Sequence, residues 1–223
     1  MKKLILVAIC GASLSGFLAA NEAPSAVGQW TASSLREALA QRPVGDVSRG
    51  EQLNSAHMCA SCHGDKGVPP TPRWPATAGQ LESYTYKMLL DYKDQARLED
   101  DRANVMTAVA EMLSKRDMSD LAAYYASLEA PVLADKPVPA LVRDGDPERL
   151  ITPCASCHGL NGQGGIKGTP AIAGQSVEVL KRALEFYQSG ERTSDLYSVM
   201  GQAALRLTAD EIDALANYYS GHN

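Results

Sequence analysis

Basic residues are under-represented in this chain of 223 residues, where 21 Lys and Arg face 26 Asp and Glu for a formal charge of −5. No basic stripe is present to grip a phosphate backbone, so nucleic-acid binding is excluded as a function class. Long apolar runs are also missing, except for Leu4 to Leu18, which lies between Met1-Lys2-Lys3 and the small pair Ala19-Ala20. That run falls short of the roughly 20 residues needed to cross a bilayer. Its layout is that of a secretory signal peptide over residues 1–20, with cleavage after Ala20 or, alternatively, Ala23. Cys10 follows Ile9 where a lipid-attachment signal needs a small residue, so no lipid anchor is expected. Losing Lys2 and Lys3 with the leader lowers the charge from −5 to −7. The expected product is exported, soluble and without an integral membrane span.

Spare thiols and spare imidazoles are lacking too. Of five cysteines, Cys10 departs with the leader, and the other four form two Cys-x-x-Cys pairs. The four histidines are His57, His63, His158 and His222. In an exported protein four cysteines suggest disulfides, but each pair here is followed directly by a histidine.

The chain repeats. Cys59-Ala60-Ser61-Cys62-His63-Gly64 matches Cys154-Ala155-Ser156-Cys157-His158-Gly159, a shift from 59 to 154, or 95 positions. At the same shift Gly50 pairs with Gly145, Pro75 with Pro170, Ala78-Gly79-Gln80 with Ala173-Gly174-Gln175, Tyr92 with Tyr187 and Arg97 with Arg192. Beyond Arg97 the shift falls to 94, which places one deletion in the second copy; Met106 then pairs with Met200 and Tyr124-Tyr125 with Tyr218-Tyr219. A match carried by special residues as well as apolar ones is the mark of a duplicated folding unit. The expected layout is an N-terminal extension over 21–44, one domain over 45–130, a linker containing proline over 131–141 and a second domain over 142–223.

The expected fold class is all-α. Leu81, Tyr84, Met88, Leu89 and Tyr92 recur at helical spacing, as do Val177, Leu180, Leu184 and Tyr187, and strand alternation is absent. Ser114 and Thr208 stand at N-cap positions. About four helices are expected per domain: one running into the cysteine motif, one after Gly-Gln, a short one carrying the paired methionine and a terminal one carrying Tyr-Tyr. Domains this small usually need a staple.

Cys-x-x-Cys-His supplies one. Two thiols a helical turn apart add to the two vinyl groups of one haem, and the adjacent imidazole reaches the iron. Cys59, Cys62, Cys154 and Cys157 are therefore read as attachment points for two covalent haem c groups, and His63 and His158 as iron ligands. A redox dithiol does not need the histidine, and one zinc site built from all four cysteines leaves both matched histidines unexplained.

The sixth ligand follows by elimination. His57 lies beside Cys59 on the same segment, His222 is the penultimate residue, and every mature thiol is already used. Methionine remains, and Met106 and Met200 are matched between the copies, whereas Met88, Met112 and Met118 face Ala183, Arg206 and Ile212. Met88 and Met118 are read as core filler. Lysine is the weaker rival, since neither Lys87 nor Lys93 has a lysine partner. Pro75 and Pro170, each 12 residues beyond its histidine, either stiffen a loop or offer a carbonyl to the far ring nitrogen; the second reading is preferred. Gly79 and Gly174 are expected to allow a close approach or a positive φ.

In combination these motifs resemble the dihaem cytochrome c4 family, over about residues 45 to 223. The resemblance implies two class I cytochrome domains with His/Met haems, a periplasmic electron carrier, and protein redox partners such as a terminal oxidase, a quinol-oxidising complex or a periplasmic dehydrogenase. Three features depart from it. The lead over 21–47 is long, with Trp30 and a capping box expected from Ser34 to Glu37, and is expected to pack on the first domain. Asp65 to Pro70 replaces the glycine-rich Asn161 to Gly165, and Leu98-Glu99-Asp100-Asp101 reads as a solvated acidic loop. A cytochrome subunit of a dehydrogenase complex is the first rival function. A dihaem peroxidase or thiosulfate dehydrogenase is the second, and it would need an open, bis-His or Cys-ligated haem.

Overall fold

The computed structural model describes residues 29–133, 135–165 and 168–221; the expected signal segment and His222 lie outside them. Among the described residues all regular structure is helical, apart from isolated bridges. No helix there is long and apolar enough to cross a membrane.

The first copy is built from α2 (Val47–Ala56), α3 (Ala60–His63), α4 (Glu82–Lys93), α5 (Asp101–Glu111) and α6 (Lys115–Ser127), preceded by α1 (Ala32–Ala40) in the N-terminal lead. The second contains α7 (Ala140–Arg143), α8 (Ala155–His158), α9 (Val177–Ser189), α10 (Val199–Ala204) and α11 (Ala209–Tyr219). The described residues of the stretch expected as a linker carry no helix until Ala140.

Each copy has its own core. Tyr86, Leu89, Leu90, Leu113, Met118 and Leu121 pack in the first, and Val142, Ile151, Ile212, Leu215, Tyr218 and Tyr219 in the second. Met118, fully buried, is the filler it was expected to be. The terminal helices start where expected: Ser114 and Thr208 cap α6 and α11, with Asp117 and Glu211 closing capping boxes. From α6 and α11 the tyrosine hydroxyls reach back to equivalent carbonyls, Tyr124 to Asp65 at 2.9 Å and Tyr218 to Leu160 at 2.9 Å.

Several expectations need correcting. Among the described residues each copy has five helices where about four were expected, because the helix expected to run into the cysteine motif stops at Ala56 and a separate single turn carries Cys-His. In the second copy that first helix is only one turn long, so the matched glycines do different work. Gly50 lies where α2 crosses α6, and a Cβ there would sit 2.1 Å from the Asp120 carbonyl oxygen; Gly145 instead takes a left-handed turn with φ +69. The helix carrying Met106 is 11 residues long, not short. The cap of α1 is Thr31, with Ser34 as the third helical residue of the box rather than its start. The acidic run is not a solvated loop either: the Glu99 side chain is fully buried against Arg97, and Asp100 caps α5 while facing Arg102 and Arg182.

The α2–α6 crossing has no room for a methyl group. Gly50→Ala is expected to cost about 1–3 kcal/mol by overpacking, read by chemical denaturation of the haem-loaded protein. A second prediction concerns acid. Burial works to raise the Asp117 carboxyl, but the Ser114 hydroxyl and amide and the Arg49 guanidinium outweigh it and hold it at about 2. Arg149, working against burial, likewise holds Glu211 at about 2. Both values lie below the ordinary 3.8 and 4.5, so the unfolded chain binds more protons and stability drops as pH falls. Melting temperature should lose this contribution between about pH 4.5 and 2, and Asp117→Asn with Glu211→Gln should flatten that slope.

Candidate functional site

The two cysteine motifs adopt the same local form. Cys59 and Cys154 stand at the N-caps of the single turns α3 and α8, so Cys62 and Cys157 follow one turn on and His63 and His158 end each turn. The chain must then leave sharply. Gly64 and Gly159 have φ +78 and +80, and a Cβ on Gly64 would meet the Val68 carbonyl oxygen at 1.8 Å. No two of the four cysteines form a disulfide. Burial pushes the thiols of Cys59 and Cys154 up. Among the described residues no three His, Cys, Asp or Glu side chains assemble into a metal-holding group.

Both histidines are buried, 9% and 7% exposed. Their Nδ1 atoms lie 2.9 Å from the Pro75 carbonyl oxygen and 3.0 Å from that of Pro170. With Nδ1–H donating to the carbonyl, the Nε2 lone pair is free for iron. Burial pulls both imidazoles below their ordinary pKa, against the opposing effect of the proline carbonyls. A neutral ring with one nitrogen committed is the form a metal takes.

Met106 sits halfway along α5, partly buried against the first core, and Met200 is the second residue of α10. Met88 is not the simple core filler expected: its sulfur lies 4.0 Å from an Arg97 guanidinium nitrogen and 3.8 Å from one of Arg192, between the two copies. Those arginines stack on matched tyrosines, Arg97 over Tyr92 at 4.9 Å and Arg192 over Tyr187 at 4.5 Å. Arg192 is buried, forms no ion pair among the described residues, and leaves its Nε without a partner.

One pair of functional residues was not singled out in the sequence. The Gln80 side chain crosses to the second copy, accepting from the Ala171 amide at 2.9 Å and donating to its carbonyl at 2.8 Å. Gln175 makes the mirror pair with Ala76, at 2.9 and 2.8 Å. Ala76 and Ala171 directly follow the prolines that hold the histidines. Each copy therefore braces the other's proline-bearing segment, and Gly79 and Gly174, with φ +65 and +72, let the chain pass close to Ala130 and Pro131. The available signal was the match of Gln80 with Gln175 at the shift of the prolines.

Two neutral buried histidines, each at the end of a Cys-x-x-Cys turn and each fixed by a proline carbonyl, define a tandem c-type cytochrome. The cytochrome c family profile matches residues 47–129 and 148–221. The chain is 36% identical to cytochrome c4 of Thiocapsa roseopersicina over 80% of its own length and 93% of that protein. It is 31% identical to a thiosulfate dehydrogenase electron acceptor of Stutzerimonas stutzeri, over 78% and 82% of the two chains. The crystal structure of reduced cytochrome c4 from Pseudomonas stutzeri superposes with a TM-score of 0.69 at 31% identity, covering 81% of this chain and all of the other. The chain belongs to the cytochrome c family, as a dihaem cytochrome of the c4 type. It carries two haem c groups at its Cys-x-x-Cys-His motifs and is an electron carrier rather than an enzyme.

Gln80→Ala would leave the Ala171 amide and carbonyl without partners in a part-buried contact. The expected cost is about 1–3 kcal/mol, seen as a lower denaturation midpoint of the haem-loaded protein, with Gln175→Ala behaving alike.

Proposed function

We propose that this chain is a periplasmic carrier of single electrons whose two irons are each held by histidine and methionine, His63 with Met106 and His158 with Met200. The observation that carries this reading is the commitment of both Nδ1 atoms to proline carbonyls, together with one methionine matched between the copies. Pro75 and Pro170 fix ring orientation and strengthen the donor nitrogen. Cys59, Cys62, Cys154 and Cys157 anchor the macrocycles, so the ligand side chains meet a cofactor that cannot drift away. The buried, unpaired Arg192 fits an anionic group, and the haem carboxylates would supply one.

When bound, haem supplies a one-electron iron couple. The chain's own residues do the rest. Histidine and methionine together would leave the iron no open position for a substrate, and a poor sulfur donor in a buried setting would favour the reduced iron, for a relatively high potential. The contact through Gln80 and Gln175 keeps the two units together, which suits relay from one haem to the other.

Terminal oxidases, quinol-oxidising complexes and periplasmic dehydrogenases are the partner classes proposed. The similarity to a thiosulfate dehydrogenase electron acceptor supports the reading of this chain as a cytochrome partner of a dehydrogenase.

Met106→Ala and Met200→Ala are each expected to remove about half of the methionine-to-ferric-iron charge-transfer absorption, one of two equal sixth-ligand contributions. Unchanged ferric spectra would reject the ligand assignment. Voltammetry of the wild type should give two reversible one-electron waves, and a catalytic wave with peroxide or thiosulfate would reject the carrier reading.

A further inference from the structure

The segments leading to the two paired methionines are built differently. In the first copy five residues of α5 precede Met106, and Asp100 caps that helix by accepting from the Ala103 amide at 2.8 Å. The one-residue deletion of the second copy falls in this segment. There α10 begins at Val199, one residue before Met200, and Ser198 at the cap position makes no side-chain capping bond. Tyr197 and Ser198 both adopt left-handed backbone, with φ +53 and +55. Two successive non-glycine residues in that region are strained and persist only where their surroundings hold them.

The surroundings come partly from within. Asp195 accepts from the Met200 amide at 2.7 Å and from the Gly201 amide at 3.2 Å. The rest comes from the far end of the chain. The Tyr197 amide donates to the Trp30 carbonyl at 3.0 Å, the Tyr197 hydroxyl accepts from the Ala32 amide at 3.0 Å, and the Gln29 amide group donates to the Ser198 hydroxyl. This N-terminal strap is itself fastened to the first copy. The Trp30 indole donates to Asp91 on α4 at 2.6 Å; Asp91, 1% exposed, also takes Lys87 at 2.6 Å, and the Lys87 ammonium donates to the Ser194 carbonyl at the start of the same loop. The strap therefore bridges both copies and does not merely pack on the first, as its sequence led us to expect.

We infer that residues 29–32 are positioning residues for Met200, holding the strained Tyr197–Ser198 turn so that the methionine sulfur stays on the second iron. The inference rests on the ligand reading of the preceding subsection. Loosening the strap lets the thioether leave and water take its place at one iron, a ligand exchange without electron transfer, while Met106, carried mid-helix, stays bound.

The test uses the purified dihaem protein in the ferric state, with imidazole as the probe of an open position. Trp30→Ala is expected to lower the methionine-to-iron absorption by up to half, and to speed imidazole entry at one haem roughly tenfold, the order of change set by losing one or two restraining hydrogen bonds. Tyr197→Phe removes only a hydroxyl from a ring that is 57% exposed, so it tests the strap without touching a core and should speed imidazole entry by a smaller factor. Ser198→Gly in the Trp30→Ala background relieves the backbone strain and should restore part of the lost absorption, which a general loss of stability would not. Wild-type absorption and imidazole rates in both Trp30→Ala and Tyr197→Phe, with Met200→Ala losing its half, would overturn the strap while leaving the ligand reading intact. A Met200→Ala protein with an unaltered spectrum would overturn the ligand reading itself.

Discussion

The hydrogen bond from a buried imidazole to a proline carbonyl is the constraint on which the rest of this molecule depends. It leaves the other ring nitrogen free for a metal and places Pro75 and Pro170 against the histidines of the same copy, while burial, working against this bond, keeps the ring neutral. Because Ala76 and Ala171 come next in the chain, the contact between copies is set at the same points: the glutamine of one unit closes on the backbone beside the other unit's proline. Ligand orientation and domain pairing are thus two consequences of one short segment, used twice.

Duplication has not meant identity. The capping boxes of α6 and α11 and the tyrosine contacts to residues 65 and 160 survive in both copies. The first helix does not, shrinking to one turn in the second unit, and a glycine conserved in register has moved from a helix crossing to a left-handed turn. The methionine segments diverge as well, one built as a capped helix and the other as a strained turn held from outside. Such asymmetry gives the two matched histidine sites different surroundings.

The cysteine motifs, the histidines and the prolines were legible because each has a local chemical signature at a fixed spacing, and the repeat doubled the signal. The N-caps at Ser114 and Thr208 were legible for the same reason. What was not legible depends on contacts between residues far apart in the chain. Glu99 reads as part of a solvated acidic run until Arg97 pairs with it out of solvent, and Met88 reads as filler until two arginines converge on its sulfur. Thr31 rather than Ser34 caps α1 because Ser34 supplies the reciprocal bond of the box, a role usually taken by Glu or Gln. The glutamine crossing shows in the sequence only as the match of Gln80 with Gln175, since an amide side chain is equally at home in water.

The most direct measurement of the central claim is the proton spectrum of the fully reduced protein, in which a methyl group bound through sulfur to haem iron lies in the ring current and is displaced far upfield. The account predicts two such three-proton signals, one for each haem. A spectrum with none, or with only one, would contradict it.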